Sequence, residues 1–238
     1  MIPKIFVGTM YCGEGDIDEC TSMINLQHGV TVEHVIIRDL PEKDAHNALW
    51  TSWNTRKDSS DLFVKCDADT ILISNTTLRT VWDTLQSNPH ATGIQAPLYD
   101  YISDSNINGL NCFTKKVVFK TTIDELYCDR VDVGNDYVLR AGTIPLELIP
   151  AGKHCAKATP IQAFHYGLHR ALKNQTSLLN LVRQAWKTKG DDIRAYALLG
   201  ASATTKFMSK SGFNYSDKVF LETFNELNAN FKSFKDKI

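Results

Sequence analysis

The chain has 238 residues, 43% of them hydrophobic and 22% charged, which predicts a globular protein with a substantial core. Lys and Arg number 26 against 27 Asp and Glu, so a net charge of -1 provides no basic field for DNA or RNA. No signal-like apolar segment opens the chain, and no stretch approaches the ~20 apolar residues of a membrane span. Six cysteines without a Cys-x-x-Cys pair predict free thiols. We expect a soluble, cytoplasmic protein without a transmembrane segment.

Strand and helix patterns alternate through the first third of the chain. The predicted strands are Lys4–Gly8, Thr31–Arg38 and Asp61–Cys66, and the predicted helices are Asp16–Gln27, Asp44–Thr55 and Asn75–Ser87. This alternation predicts a parallel sheet with right-handed helical crossovers.

The remainder divides into an irregular middle and a helical end. Gly93–Ala96, Lys116–Phe119 and Thr143–Ile149 are predicted strands, Asp100–Gly109 a polar loop, Asp136–Ala141 a helix, and Ser177–Lys187, Asp191–Thr204 and Ser216–Phe234 helices. An apolar stripe on the last helix predicts a packing surface: Phe220, Phe224, Leu227, Phe231 and Phe234. We therefore predict an α/β domain over 1–174 and a helical extension over 175–238.

Two carboxylates follow the third predicted strand. Asp67 and Asp69 are separated by one small residue, and residues i and i+2 of an extended segment point to the same side. Paired carboxylates suit Mg²⁺ or Mn²⁺, and open α/β sheets bind ligands where strands end. The same spacing at Asp16 and Asp18 precedes a helical pattern, where it predicts a helix cap instead.

Further short motifs accompany this pair in chain order. They are Val7-Gly8-Thr9, Val35-Ile36-Ile37-Arg38-Asp39, His46-Asn47, Cys66-Asp67-Ala68-Asp69, Ile123-Asp124-Glu125, Asn135-Asp136 with the residues up to Gly142, and Phe164-His165-Tyr166-Gly167. Over roughly residues 4 to 170 their order resembles glycosyltransferases of the GT-A fold, and is most similar to the inverting family 2 group.

The resemblance implies a Rossmann-like, mixed but mainly parallel sheet flanked by helices, with 1–174 as the nucleotide-sugar-binding and catalytic domain. It implies transfer of a sugar from a UDP- or GDP-linked donor to a hydroxyl acceptor, a glycan or a small molecule, with Mn²⁺ or Mg²⁺ as cofactor. Thr9, Asp39, Asn47 and Asp67 would contact the donor, and Asp67 and Asp69 would hold the metal.

Two of the roles that the resemblance implies have alternative interpretations. Asp136 matches the catalytic base, although Asn135 replaces the usual Glu; Asp132 and Asp129 are substitutes, and Asp136 is equally a carboxylate at a helix N-terminus. Asp39 is equally a turn residue before Pro41.

His165 corresponds to the histidine that completes the metal or pyrophosphate contacts. It is equally an ordinary hydrogen-bonded histidine. His169 lies four residues further on, a spacing that would point both rings the same way from a helix, but no His-Glu-x-x-His pattern is present. Arg170 and Lys173 either meet phosphate or are solvated surface charges.

Two other functions fit the same patterns. A sugar-phosphate nucleotidyltransferase shares the α/β core and the metal chemistry, but Gly8–Gly15 contains no Arg or Lys of the kind its first loop carries. A non-catalytic nucleotide- or carbohydrate-binding module of the same fold is the other alternative.

Overall fold

The computed structural model describes residues 1–140, 150–207 and 215–238. Its strands are β1 (Lys4–Tyr11), β2 (Thr31–Arg38), β3 (Leu62–Lys65), β4 (Thr70–Leu72), β5 (Gly93–Asp100), β6 (Ser105–Thr114), β7 (Val118–Phe119), β8 (Asp132–Val133), β9 (Val138–Leu139) and β10 (Gly152–His154). Its helices are α1 (Ile17–Asn25), α2 (Glu42–Arg56), α3 (Thr77–Gln86), α4 (Pro160–Leu172), α5 (Thr176–Lys189), α6 (Asp192–Ser202), α7 (Lys218–Asn228) and α8 (Phe231–Lys235), with a 3₁₀ turn at Ala203–Lys206.

Within the described residues, eight strands form one mixed sheet in the order β2-β1-β3-β6-β5-β10-β4, with β9 paired to β5. The pairings of β1 with β2 and β3, and of β5 with β9 and β10, are parallel, whereas β6 runs antiparallel to β3 and β5, and β4 antiparallel to β10. The fold class predicted from the sequence, a mixed and mainly parallel sheet flanked by helices and consistent with a GT-A arrangement, is confirmed.

Alternation along the central strands separates two cores. In β1, Ile5 and Val7 enter the core that contains α1 and α3, whereas Phe6 enters an aromatic core with Trp50 and Trp53 of α2. Side chains on successive strand residues point to opposite faces, so helices cover both faces. Because helices cover both faces of the sheet, the ends of the strands are the part that the helices leave uncovered.

The predicted elements up to β3 are confirmed, and the bounds of β2 coincide with the prediction. The predicted polar loop at Asp100–Gly109 is wrong: β6 begins at Ser105, because its backbone groups pair with β3 and β5 whatever the polarity of its side chains. The helix predicted from Asp136 is also wrong over its described part, since pairing with β5 makes Val138–Leu139 a strand. The predicted strand Thr143–Ile149 lies outside the described residues.

Helix α4 begins with a capping box. The Thr159 side chain accepts from the Gln162 backbone N–H, and Gln162 Oε1 accepts from the Thr159 backbone N–H, with Pro160 at the first helical position. The apolar stripe on α7 and α8 packs against the core that includes Phe164 of α4, as predicted, although the predicted single helix is two. Helices α7 and α8 therefore pack against α4 and stabilise its position.

No helix in the described part of the chain is both long enough and apolar enough to cross a bilayer.

The contact between α4 and α6 predicts an effect on stability. A Cβ placed on Gly167 would lie 1.7 Å from the carbonyl oxygen of Ala197, and backbone cannot move aside as a flexible side chain can. We expect Gly167→Ala to lower the free energy of unfolding by about 3 kcal/mol, at the upper end of overpacking costs. Gly15→Ala is the matched control, because its Cβ would approach no heavy atom closer than 3.4 Å. Urea denaturation of both variants measures the difference; equal stability would show that the helices separate at no cost.

Candidate functional site

A cleft of about 290 Å³ lies beyond the carboxyl ends of β1 and β3. Its walls are unusually rich in ionisable groups. The carboxylates lining it are Glu14, Glu42, Asp67, Asp69 and Asp129, and the basic and imidazole side chains are His46, Lys65, His154, His165, His169, Arg170 and Lys173. Parallel strands that end in such a cleft are where open α/β sheets bind ligands.

Asp69, His154 and Asp100 form a chain of charged groups on the cleft floor. His154 Nδ1 donates to Asp100 Oδ1 at 2.7 Å, and His154 Nε2 lies 3.4 Å from Asp69 Oδ2. Asp100 is fully buried and also accepts from the backbone N–H of Ser103 and the hydroxyl of Tyr166. Asp100 therefore fixes the imidazole plane and leaves Nε2 directed at Asp69.

The sheet register explains this arrangement. Strand β10 lies between β4 and β5, which places His154 opposite both Thr70 and Asp100, and Thr70 directly follows Asp69. The next residue, Cys155, donates its backbone N–H to the Asp69 carbonyl at 2.9 Å and its thiol to Asp69 Oδ2 at 3.1 Å. Cys155 adopts a φ of 54°, a left-handed conformation that costs a non-glycine residue energy and often accompanies function.

The two carboxylates control the protonation of His154. Burial alone would lower its pKa, but the charge of Asp69 and the hydrogen bond to Asp100 outweigh burial and raise the pKa from 6.5 to about 9. Burial likewise opposes ionisation of Asp100, yet the hydrogen bonds from His154 and Ser103 hold its pKa below the usual value. At neutral pH an imidazolium therefore lies between two carboxylates.

Asp67 has a different partner. Its Oδ1 forms a short ion pair with Lys65, a side chain only 9% exposed at the end of β3. Desolvation opposes the charge of Asp67, but the attraction and hydrogen bond of Lys65 prevail and lower its pKa. The two carboxylates of the Asp-x-Asp pair thus differ: Asp67 is neutralised by an ammonium group, whereas Asp69 faces His154.

Two further cations lie at the carboxyl-terminal end of α4, Arg170 in its last turn and Lys173 directly after it. The Arg170 guanidinium lies 4.9 Å from the centre of the Tyr166 ring and donates to Gln175 Oε1 at 2.9 Å. Burial lowers the pKa of Lys173, partly opposed by the carboxylates of Asp129 and Glu42. Oriented cations in a partly desolvated cleft suit a phosphate-bearing ligand.

The structure brings three of the predicted site residues, Asp67, Asp69 and His165, to this one cleft. His165 lies on α4, with its ring 5.1 Å from that of Tyr215 and 5.5 Å from that of His169. The histidine beside Asp69, however, is His154.

Four predicted site residues are not among those that line the cleft. Thr9 is fully buried and its hydroxyl pairs with His34 Nε2 at 2.9 Å, and Asn47 bonds the backbone of Thr122 through both ends of its amide. Asp39 has a φ of 55° and directly precedes Leu40, which does line the cleft.

Asp136 is the fourth of these residues. It is exposed and precedes β9, which pairs with the start of β5 at Gly93. At about 3.3 Å per residue, that point lies roughly 20 Å along β5 from Asp100. Asp129, one of its two sequence-predicted substitutes, lines the cleft, whereas Asp132 lies on β8.

Sequence reasoning did not single out His154, Asp100, Cys155 or Glu42. Strand β10 has three residues, too few for a periodic pattern, and the partners of His154 are 54 and 85 positions away in the chain. The one local signal is the run Lys153-His154-Cys155, which places two metal-binding residue types together.

No protein-family model matches the chain, and no curated protein matches it. One matching solved structure is a glycosyltransferase involved in the glycosylation of the major capsid of PBCV-1, at 14% identity and a TM-score of 0.33, covering 48% of this chain and 61% of that chain. The chain thus spans about three fifths of that structure's length. Another is the mannosyltransferase PcManGT from Pyrobaculum calidifontis in complex with GDP-Man and Mn²⁺, at 12% identity and a TM-score of 0.38, covering 99% of this chain and 84% of that chain. At these identities and TM-scores the likeness assigns neither activity nor site residues to this chain.

The raised pKa of His154 predicts how stability depends on pH. Because the folded state holds this proton more tightly than the unfolded chain, the stabilisation is complete below pH 6.5 and is lost as the pH rises through about 9. A shift of this size corresponds to at most about 3 kcal/mol. Urea denaturation in the presence of a chelator should show this decline for the wild type and a flatter profile for His154→Gln.

Titration of the histidine ring signals by NMR provides the direct measurement. The signal missing from His154→Gln should titrate near pH 9, whereas His46, whose pKa burial lowers to about 4, serves as an internal contrast. A His154 midpoint at or below 6.5 would contradict the arrangement of Asp69, His154 and Asp100.

Proposed function

We propose that the protein is a metal-dependent glycosyltransferase that moves a sugar from a UDP- or GDP-linked donor to a hydroxyl group of a glycan or small molecule, with inversion. The observation that carries the proposal is the chain from Asp69 through His154 to Asp100 on the floor of a cleft that also contains cationic side chains. This floor offers a carboxylate and an oriented imidazole to a divalent cation, and the cations offer contacts to a diphosphate.

The residues present fit a divalent cation. Asp69 Oδ1 is buried and has no hydrogen-bond partner among the described residues, a costly condition that a bound cation relieves. His154 donates its Nδ1–H to a buried carboxylate, the pattern by which proteins orient a metal-binding imidazole. Asp69 and His154 would hold Mn²⁺ or Mg²⁺, and binding would displace the imidazole proton. The cation would supply positive charge to offset the charge that develops on the departing diphosphate.

Protein side chains contribute to the same task. Arg170 and Lys173 face the cleft from α4, and Lys65 faces it from β3. Fixed cations stabilise the leaving diphosphate without having to reorganise during the reaction. Lys65 also orients Asp67, so in this proposal Asp67 contributes through its ion pair or a contact to the donor sugar or ribose.

The acceptor requires a base. In the proposed step the acceptor oxygen attacks the anomeric carbon, its proton passes to a carboxylate, and the bond from the anomeric carbon to the diphosphate oxygen breaks on the opposite face, which releases the nucleoside diphosphate. Asp129 lines the cleft and is exposed to an incoming acceptor, which supports it over Asp136 in this role. Thr9, Asp39 and Asn47 remain predictions for the donor, with Asp39 adjacent to the rim at Leu40.

One experiment tests the function. The full chain is incubated with UDP- and GDP-linked sugars and Mn²⁺ or Mg²⁺, and release of nucleoside diphosphate is followed with and without hydroxyl acceptors. Release that depends on the cation supports the proposal. Pyrophosphate formed from a nucleoside triphosphate and a sugar phosphate would instead show a nucleotidyltransferase, and donor binding without release would show a binding module.

The metal site gives the first prediction for this function. Asp69→Asn removes the anionic ligand, and we expect Mn²⁺-dependent donor binding to weaken by more than roughly 100-fold, beyond what loss of an outer-shell partner costs. Asp18→Asn is the matched control, because Asp18 belongs to the other Asp-x-Asp pair and is exposed on α1. Isothermal titration of the donor with and without Mn²⁺ measures both, and unchanged binding in Asp69→Asn would refute the site.

The base gives the second prediction. Asp129→Asn should leave donor binding intact and slow transfer by about 10²- to 10⁴-fold, the usual contribution of a general base. Asp136→Asn should retain transfer, since Asp136 precedes β9 at the far end of β5. Steady-state rates at saturating donor decide between the two carboxylates: a loss confined to Asp136→Asn would restore the base role to Asp136.

A further inference from the structure

A second group of metal-binding side chains lies beside the cleft, and two of its members, Glu42 and His46, line it. The ligand atoms of Glu42, His46 and Cys128 all lie within 4.8 Å of one another. Glu42 and His46 are one turn apart at the start of α2, so both side chains project from the same face of the helix. Cys128 belongs to the segment between β7 and β8, which is hydrogen-bonded to this helix.

The imidazole of His46 is prepared for coordination. His46 is only 4% exposed, and its Nδ1 lies 2.8 Å from the Glu42 carbonyl oxygen. A carbonyl oxygen only accepts, so Nδ1 carries the proton and Nε2 carries the lone pair that a metal ion needs. Backbone contacts of this kind are a common means of fixing the tautomer of a metal ligand.

Two atoms beside this group lack protein partners. Glu42 Oε2 and His169 Nε2 are buried without a hydrogen-bond partner among the described residues. The other carboxylate oxygen of Glu42, Oε1, lies 3.8 Å from His169 Nε2, too far for a hydrogen bond. A buried polar atom without a partner destabilises the folded state, and one cation bound between these two atoms would satisfy both.

The charges of this group also balance. A thiolate at Cys128 and a carboxylate at Glu42 together neutralise a divalent cation, while the two histidines remain neutral. The positive charges of Lys65 and Lys173 and the negative charges of Asp129 and Asp67 exert electrostatic effects of opposite sign on Glu42. The surroundings therefore add little net charge to the site.

We propose that Glu42, His46 and Cys128, with His169 as the fourth ligand, form a binding site for Zn²⁺ that is separate from the cation site at Asp69. A thiolate with imidazoles selects Zn²⁺ over Mg²⁺, whereas oxygen ligands suit Mg²⁺. Zinc–sulfur bonds of about 2.3 Å and zinc–nitrogen bonds of about 2.0 Å place neighbouring ligands roughly 3.5 Å apart, so the ligand atoms of Glu42, His46 and Cys128 approach one another by about 1 Å.

Bound zinc joins three parts of one cleft wall. It links the start of α2 and the end of α4 to the segment that carries Asp129. That segment is already held by Trp50 Nε1, which donates to the Cys128 carbonyl at 3.2 Å, and by Asn47, which bonds Thr122. A metal at Cys128 therefore fixes the position of the neighbouring carboxylate in the cleft.

Among the described residues, two groups of possible metal ligands each contain a cysteine, Cys128 in one and Cys155 in the other, which permits a matched test. The metal-free full chain is titrated with Co²⁺, which gives a charge-transfer absorption when bound by thiolate, and then with Zn²⁺ in competition with a chromophoric chelator. We expect the wild type and Cys155→Ser each to bind one equivalent of Co²⁺ that shows the thiolate charge-transfer band. Cys128→Ser should lose the band, and its Zn²⁺ affinity should fall by more than the roughly 10- to 100-fold that loss of an outer-shell partner costs.

His46→Gln provides an independent ligand variant should Cys128→Ser fail to fold, and it should lose Zn²⁺ affinity to a similar degree. Asp69→Asn should still bind one equivalent of Zn²⁺. This result would distinguish the Zn²⁺ site from the proposed cation site at Asp69. A wild-type chain without saturable Zn²⁺ binding overturns the inference, as does a thiolate band lost in Cys155→Ser and kept in Cys128→Ser.

Discussion

The interaction on which the site depends is the chain of Asp69, His154 and the fully buried Asp100. It joins the loop before β4, the end of β10 and the end of β5, three segments distant in sequence. A buried carboxylate is costly unless it is paired, and Asp100 meets this requirement through His154, Ser103 and Tyr166. Tyr166 belongs to α4, so the same carboxylate anchors the helix that carries the cationic wall.

Each acidic side chain of the Asp-x-Asp pair faces its own basic side chain. Lys65 neutralises Asp67, and His154 faces Asp69, so each carboxylate of the Asp-x-Asp pair has a separate partner. Under the proposed function, a cation at Asp69 would replace the proton on His154 and leave the ion pair of Lys65 unchanged. The two aspartates of one short motif therefore have different electrostatic surroundings, a difference that their spacing alone does not predict.

The sequence predicted the first half of the fold well because its signals are local. Helices of nine or more residues and buried strands such as β3 carry their period in a short window. Strands β4, β9 and β10 have two or three residues each and exist only through their partners, so no window reveals them. The same limit applies to the residues of the cleft. Asp67 and Asp69 could be predicted because they follow a recognisable strand, whereas His154 lies on β10, which is too short to recognise. His165 was favoured because its motif is contiguous.

The carboxyl-terminal helices bear on the cleft through α4. Gly167 of α4 and Gly200 of α6 allow their backbones to approach so closely that a Cβ on Gly200 would lie 1.9 Å from the Phe164 carbonyl oxygen. Helix α4 cannot shift without α6, and α4 carries His165, His169, Arg170 and the hydroxyl of Tyr166 on Asp100. The division at residue 174 remains a prediction, but the helices beyond it hold one wall of the cleft at a fixed distance from Asp69. Preorganisation of this kind is what a site requires if cations on a helix and a carboxylate on a sheet are to act on one diphosphate.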